Sequence, residues 1–142
     1  MKANAHNLKT IEEFQAKKGR GIGIFGDHIL LMTAKGAKSG DAITTPLVYG
    51  RDGKDYLIVA SKGGAPDNPR WFGNLKANPE VEIQVGNGQT IETTKARAQP
   101  VESGPERDRL FQEMAKIWPD YLNYQKRTER TIPVVRLKPV SR

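Results

Sequence analysis

Hydrophobic positions along this chain fall into two spacings, and the switch between them marks out the elements. Residues 8–18 place Leu8, Ile11, Phe14 and Gln15 on one thin stripe that Gly19 closes, which predicts a short peripheral helix, a lid or an anchor. Ile29 to Thr33 is a continuous apolar run, hence a buried strand. A second strand follows over 42–49, and Pro46 inside it predicts an edge or a bulge because proline donates nothing to a ladder. Arg51-Asp-Gly-Lys54 carries the Asp-Gly hairpin signal and pairs 42–50 with 55–60. A short helix begins near Asn68, a good N-cap, with Pro69 at its first position, and it stops at Pro79.

Strict alternation returns over Glu80–Val85 and Thr90–Ala98, two half-buried strands joined by Gly86-Asn-Gly88. Pro100 to Gly104 reads as a linker. Leu110, Phe111, Met114 and Ile117 recur at helical spacing over 106–118, with Pro105 in the first turn. A second helix over 120–127 puts Tyr121 and Tyr124 on one face, and Ile132–Leu137 closes the chain as a strand. About six strands, largely antiparallel, with helices at the ends, predict an α+β, mainly β, barrel or strongly curled sheet. The 142 residues are expected to form one domain, with residues 1–20 as a mobile N-terminal helix.

Composition narrows the classes. No cysteine is present, so disulfides, thiolate metal sites and cysteine nucleophiles are excluded. No run approaches the roughly 20 apolar residues of a membrane span, and the first 20 residues lack the apolar centre of a signal peptide. A cytoplasmic protein is expected, and the basic N-terminal helix leaves open a peripheral contact with the inner face of the membrane. The chain carries 23 Lys and Arg against 16 Asp and Glu, a net charge of +7, which suggests an anionic partner.

Two glycine-containing loops concentrate that charge. Ala34-Lys-Gly-Ala-Lys-Ser-Gly-Asp41 presents Lys35, Lys38 and the Ser39 hydroxyl, without the order of a P-loop and without a following helix. Ser61-Lys-Gly-Gly-Ala-Pro66 leaves a buried strand and crosses a Gly-Gly turn beside Lys62, a pattern that receives anions, with Trp71 close behind. Gly21, Gly23 and Gly26 match G-x-G-x-x-G, but a helix precedes them and a strand follows, the reverse of the dinucleotide fingerprint, so 19–26 reads as a flexible connector. Only His6 and His28 are present, no G-x-S-x-G elbow occurs, and Asp52 and Asp55 are turn residues. Hydrolysis and metal chemistry are therefore disfavoured. Trp71, Phe72, Tyr121 and Tyr124 offer stacking surfaces for nucleic acid, yet clustered loop charge suits a compact polyanion better than a polymer. A bound redox cofactor can supply the chemistry that these side chains lack.

The motifs Thr33-Ala-Lys-Gly-Ala-Lys-Ser-Gly40, Thr44-Thr-Pro-Leu47, Val59-Ala-Ser-Lys-Gly-Gly-Ala-Pro66, Pro69-Arg-Trp71, Asn74-Leu-Lys-Ala-Asn-Pro79 and Tyr121-x-x-Tyr124-x-x-x-Thr128-x-x-x-Ile132-Pro133 occur together and in order. The set, spanning about residues 20 to 138, resembles the deazaflavin-dependent nitroreductase family, whose members use coenzyme F420. That resemblance implies a split β-barrel and hydride transfer from reduced F420 to quinones, activated alkenes or nitro compounds. It implies that Lys35, Lys38 and Ser39 hold the phosphate and acidic tail. Thr44, Thr45, Pro46 and Leu47 would line the deazaflavin. Ser61, Lys62, Gly63 and Gly64 would contact ring edge and phosphate, with Trp71 packed nearby. Tyr121 and Tyr124, with Ser61, would face the substrate as catalytic groups. Ala37, Asn68 and Phe72 depart from the family pattern, which commonly has arginine, histidine and tyrosine there.

Two other readings stay open from the residues alone: a non-catalytic deazaflavin carrier, and an FMN-binding protein of the same barrel type. The expected partner is a small-molecule electron acceptor rather than nucleic acid, for a monomer or a homodimer.

Overall fold

The computed structural model describes residue 3 and residues 5–140. Among these residues, seven strands form one antiparallel sheet: β1 (Ile29–Lys35), β2 (Ala42–Val48), β3 (Gly50–Asp52), β4 (Asp55–Val59), β5 (Glu80–Gly86), β6 (Ile91–Val101) and β7 (Val134–Pro139). Their order is β2-β1-β5-β6-β7-β4-β3. The same described residues include four α-helices: α1 (Ala5–Lys17), α2 (Arg70–Ala77), α3 (Pro105–Ile117) and α4 (Asp120–Lys126). The fold is a split barrel, as expected, with one strand more than the hydrophobic pattern suggests.

The extra strand comes from the segment 42–52. Its first part pairs with β1, Thr33 opposite Thr44 and Leu31 opposite Pro46. Its last three residues pair with β4 instead. β2 and β3 thus sit at opposite edges of the sheet although one residue separates them, so the sheet must curl until its edges meet. The Asp-Gly hairpin is present, but it pairs only 50–52 with 55–57, not the whole of 42–50. Gly50 sits at the crossing, where a Cβ would lie 2.6 Å from the Met114 sulfur of α3. Pro46 lies in an edge strand with unbroken register, so the edge reading holds and no bulge is needed.

Side chains alternate across the sheet into two cores. Ile29, Leu31, Val48, Leu57, Val59 and Val134 pack under α1, α3 and α4. Leu30, Met32, Ile58, Val81, Ile83, Val135 and Leu137 line the inside of the curl, which α2 plugs with Phe72 and Leu75. Burying those two side chains is worth about 1.5–3 kcal/mol each.

Several local expectations change. α1 is not peripheral: Phe14 is fully buried and Ile11 nearly so, because β2 and the outer core need a cover. Gln15 leaves the apolar stripe and donates to the Gln84 side chain. Residues 19–26 are no flexible connector, since Ile22 is buried and its N–H donates to the Gly26 carbonyl around a 3₁₀ turn at Gly23–Phe25. Pro100 and Val101 belong to β6 rather than a linker. β5 has ended by that point, so Pro100 faces only β7 and no ladder bond is lost. Pro69 itself occupies the cap position of α2, and no side chain caps the helix. Asp52 and Asp55, opposite each other across the hairpin, both accept from the nearly buried Arg136, at 2.9 Å each, and Glu106 of α3 joins them at 3.1 Å.

Candidate active site

The seam where the sheet edges meet opens into a cavity of about 590 Å³. Pro46, Leu47 and Val48 of β2 form one wall, and Val59, Ser61, Lys62 and Gly63 form the wall opposite. Pro69 and Trp71 enter from the start of α2, and Tyr121 and Tyr124 from α4. His6, Asn7 and Thr10 of α1 line it too, with Ile24, Phe25, Ile29 and Trp118. Of the residues expected from sequence, Pro46, Leu47, Ser61, Lys62, Gly63, Trp71, Tyr121 and Tyr124 meet around this one space.

The turn after β4 is built from left-handed backbone. Lys62, Gly63 and Gly64 take φ of 46°, 64° and 87°. The Gly64 N–H donates to the Ser61 carbonyl and the Ala65 N–H to the Lys62 carbonyl, 3.0 and 3.1 Å. Gly64 does not line the cavity. It is buried behind the turn, against the backbone of α4. The Lys62 ammonium rests 3.0 Å from the Asp67 carboxylate in an exposed pair, and that hydrogen bond holds the Asp67 carboxyl below its ordinary value. Such a pair is weak enough for a competing anion to displace.

The aromatic wall is coupled. Phe25 stacks on Trp118 with centroids 5.5 Å apart, and Trp118 Nε1 donates to Tyr124 Oη at 3.5 Å. Tyr121 meets Tyr124 edge to face at 6.1 Å. Burial pushes the Tyr121 phenol well above its ordinary value, so it stays protonated at neutral pH.

The first lysine loop lies elsewhere. Lys35, Lys38 and Ser39 are exposed beyond the far end of β2, whose seven residues span roughly 20 Å at about 3.3 Å each. Lys35 lines a second cavity of about 560 Å³ that also presents Lys95, Glu80 and Glu82, a mixture of charges that favours no single ion. The loop is nevertheless tied to the first site: the Ala37 N–H donates to Asn74 Oδ1, one helical turn beyond Trp71 on α2. Ser39 Oγ accepts from the Asp41 N–H. Thr44 is buried with its hydroxyl 2.7 Å from that of Thr33, and Thr45 is half-buried on the neighbouring position of β2; neither lines the cavity.

Four contributions had no clear sequence signal. His6, Asn7 and Thr10 belong to a helix recognised only by its apolar stripe. Phe25 sits in a glycine-rich stretch, Trp118 at the end of α3, and Arg130 in a run of basic residues. Arg130 donates to the carbonyls of Ala60, Ser61 and Ala65 and to Asn68 Oδ1.

The donor set fits a flat heterocycle with an acidic tail. Apolar and aromatic walls flank the cavity, Lys62 stands at one side, and a Cβ on Gly63 would meet nothing within 4 Å, so a ligand can approach the turn's backbone. Among the described residues no group of three His, Cys, Asp or Glu is placed to hold a metal.

Comparison with known proteins shows the family to which the chain belongs. The model of the F420H(2)-dependent quinone reductase family matches residues 5–139. An F420H(2)-dependent quinone reductase of Mycobacterium tuberculosis is 50% identical over 109 residues, covering 76% of this chain and 71% of the relative. A solved F420-H2 dependent reductase superposes with a TM-score of 0.69 at 37% identity, over 78% of this chain and 94% of that one. A chain solved as a domain-swapped dimer superposes with a TM-score of 0.70 at 32% identity, over 92% and 94%. This chain, with its cavity at the barrel seam, belongs to the F420H(2)-dependent quinone reductase family.

Proposed function

We propose that the seam cavity binds F420 and that the chain reduces a quinone there. The observation that carries this reading is the convergence on one cavity of the Ser61–Gly63 turn, the Pro46–Leu47 wall, Trp71 and the tyrosines of α4. Bound in the cavity, the reduced deazaflavin supplies a hydride, which with one proton takes a quinone to its hydroquinone.

The protein's part is to bind, orient and exclude water. Pro46, Leu47 and Trp71 hold the ring system between apolar surfaces. Lys62 exchanges Asp67 for an anionic oxygen of the ligand. Lys35, Lys38 and Ser39, held near α2 through Asn74, receive the phosphate and acidic tail. Thr44 and Thr45 keep β2 in register beneath the ring, Thr44 through its bond to Thr33. Gly64 lets α4 close against the turn. Ser61 Oγ and Tyr124 Oη hold hydrogen bonds to the reacting oxygen, and Tyr121 Oη backs them as a donor that does not ionise.

Titration with oxidised F420 and with FMN tests the reading. Tight binding of F420 and weak binding of FMN are expected, followed by consumption of reduced F420 on adding menadione. Preference for FMN would overturn it, and binding without consumption would leave the carrier alternative standing. A homodimer is the assembly we favour, since one structural relative is a domain-swapped dimer; light scattering reads it directly. Contact of α1 with a membrane has less support, because its largest apolar groups, Ile11 and Phe14, are spent on the core. Among the described residues no helix is long and apolar enough to cross a membrane.

A further inference from the structure

Arg130 reaches back across 62 to 70 residues of chain to the turn beside the cavity. Its Nε donates to the Ala65 carbonyl at 2.9 Å and its Nη1 to Asn68 Oδ1 at 2.7 Å. Its Nη2 donates to the carbonyls of Ala60 and Ser61, at 3.3 and 2.9 Å. One guanidinium thus spans both ends of the turn, a geometry that only its rigid fork of donors can match.

The two Nη2 contacts have a geometric consequence. A trans peptide is planar, and its C=O and N–H point in opposite directions. With the Ala60 and Ser61 carbonyls directed at Arg130, the N–H groups of the same two peptides, those of Ser61 and Lys62, are directed away from it. Ser61 and Lys62 line the cavity. A carbonyl that accepts from a cation is also polarised, which strengthens the donor at the other end of its peptide. Lys62 holds φ at 46°, a conformation that a non-glycine residue keeps only when its surroundings impose it.

We propose that Arg130 is a positioning residue that aims and polarises the Ser61 and Lys62 N–H groups as a donor pair for an electron-rich oxygen of the bound cofactor. This rests on the F420 reading above. The oxygen belongs either to a ring carbonyl or to the phosphate, which share this chemistry.

R130K tests the proposal, because lysine keeps the charge but cannot span the four acceptors. The dissociation constant for oxidised F420, measured by fluorescence, is expected to rise about tenfold or more while the fold survives. KM for F420 should rise with it, and kcat at saturating F420 should change much less. A parallel titration with the tail-less deazaflavin chromophore locates the oxygen. An equal loss assigns it to the ring, and a loss confined to F420 assigns it to the phosphate. In the wild-type chain the Ser61 and Lys62 amide resonances should move on adding F420. That measurement decides the matter if R130K does not fold, and unmoved amides overturn the proposal. An R130K protein that binds F420 as tightly as wild type also overturns it and leaves the functional reading intact. A wild-type chain that does not bind F420 removes both.

Discussion

Gly64 and Tyr124 touch backbone to backbone: a Cβ placed on Gly64 would lie 2.6 Å from the Tyr124 carbonyl oxygen and 3.1 Å from its Cα. The turn that lines one side of the cavity and the helix that supplies its tyrosines are therefore seated directly on each other. Gly64 also holds φ at 87°, where a side chain is strained. Gly64→Ala is expected to cost about 2–4 kcal/mol, through strain and through displacement of α4. Urea unfolding should show the loss, and F420 affinity should fall with it. A variant of wild-type stability would separate the turn from α4.

Tyr121 gives a pH signature. Burial raises its phenol in the folded chain above the ordinary value of 10.0. The folded state then binds more protons than the unfolded state once pH passes about 10, so stability falls as pH rises above that point. Below it the contribution is fully present. Thermal unfolding followed between pH 8 and 11 should steepen on the alkaline side for wild type and flatten for Tyr121→Phe. Equal alkaline slopes would mean the phenol is not buried as described.

Arg136 gathers Asp52, Asp55 and Glu106 at the hairpin that closes the sheet. Hydrogen bonds from Arg109 and Arg136 hold the Asp52 carboxyl below its ordinary value, so this support is present above the usual carboxylate range and fades as pH falls. Arg136→Ala should cost about 2–3 kcal/mol, less than a wholly buried pair because the carboxylates keep water. F420 affinity measured well below the melting temperature should be unchanged, since Arg136 does not line the cavity. A loss of affinity without loss of stability would contradict that separation.

The exposed lysine loop should act on binding alone. Lys38→Ala is expected to weaken F420 several-fold while turnover at saturation stays close to wild type. Asn74→Ala, which frees the Ala37 N–H, should produce a smaller change in the same direction. Unchanged affinity in Lys38→Ala would remove Lys38 from the site.

Most of the elements and the turn chemistry are legible in local residue patterns. Alternation at 80–85, helical spacing at 110–117, the Asp-Gly turn and the Ser61–Pro66 motif each report on the surroundings of a few adjacent residues, and such signals survive without the fold. The sequence's ordered motifs also carried the family. Tertiary structure alone decided how distant pieces meet. Pairing of 42–52 with two different strands depends on the curl of the whole sheet, which no local pattern encodes. Phe25 and Trp118 become one wall only when α3 and the 19–26 segment pack together. Arg130 looks like any surface cation until the chain folds back and sets its guanidinium behind the turn. Side-chain periodicity records which face is buried; which hydrogen bonds cross between segments some 60 residues apart is settled by packing, because only the curled sheet brings their donors and acceptors within hydrogen-bonding distance.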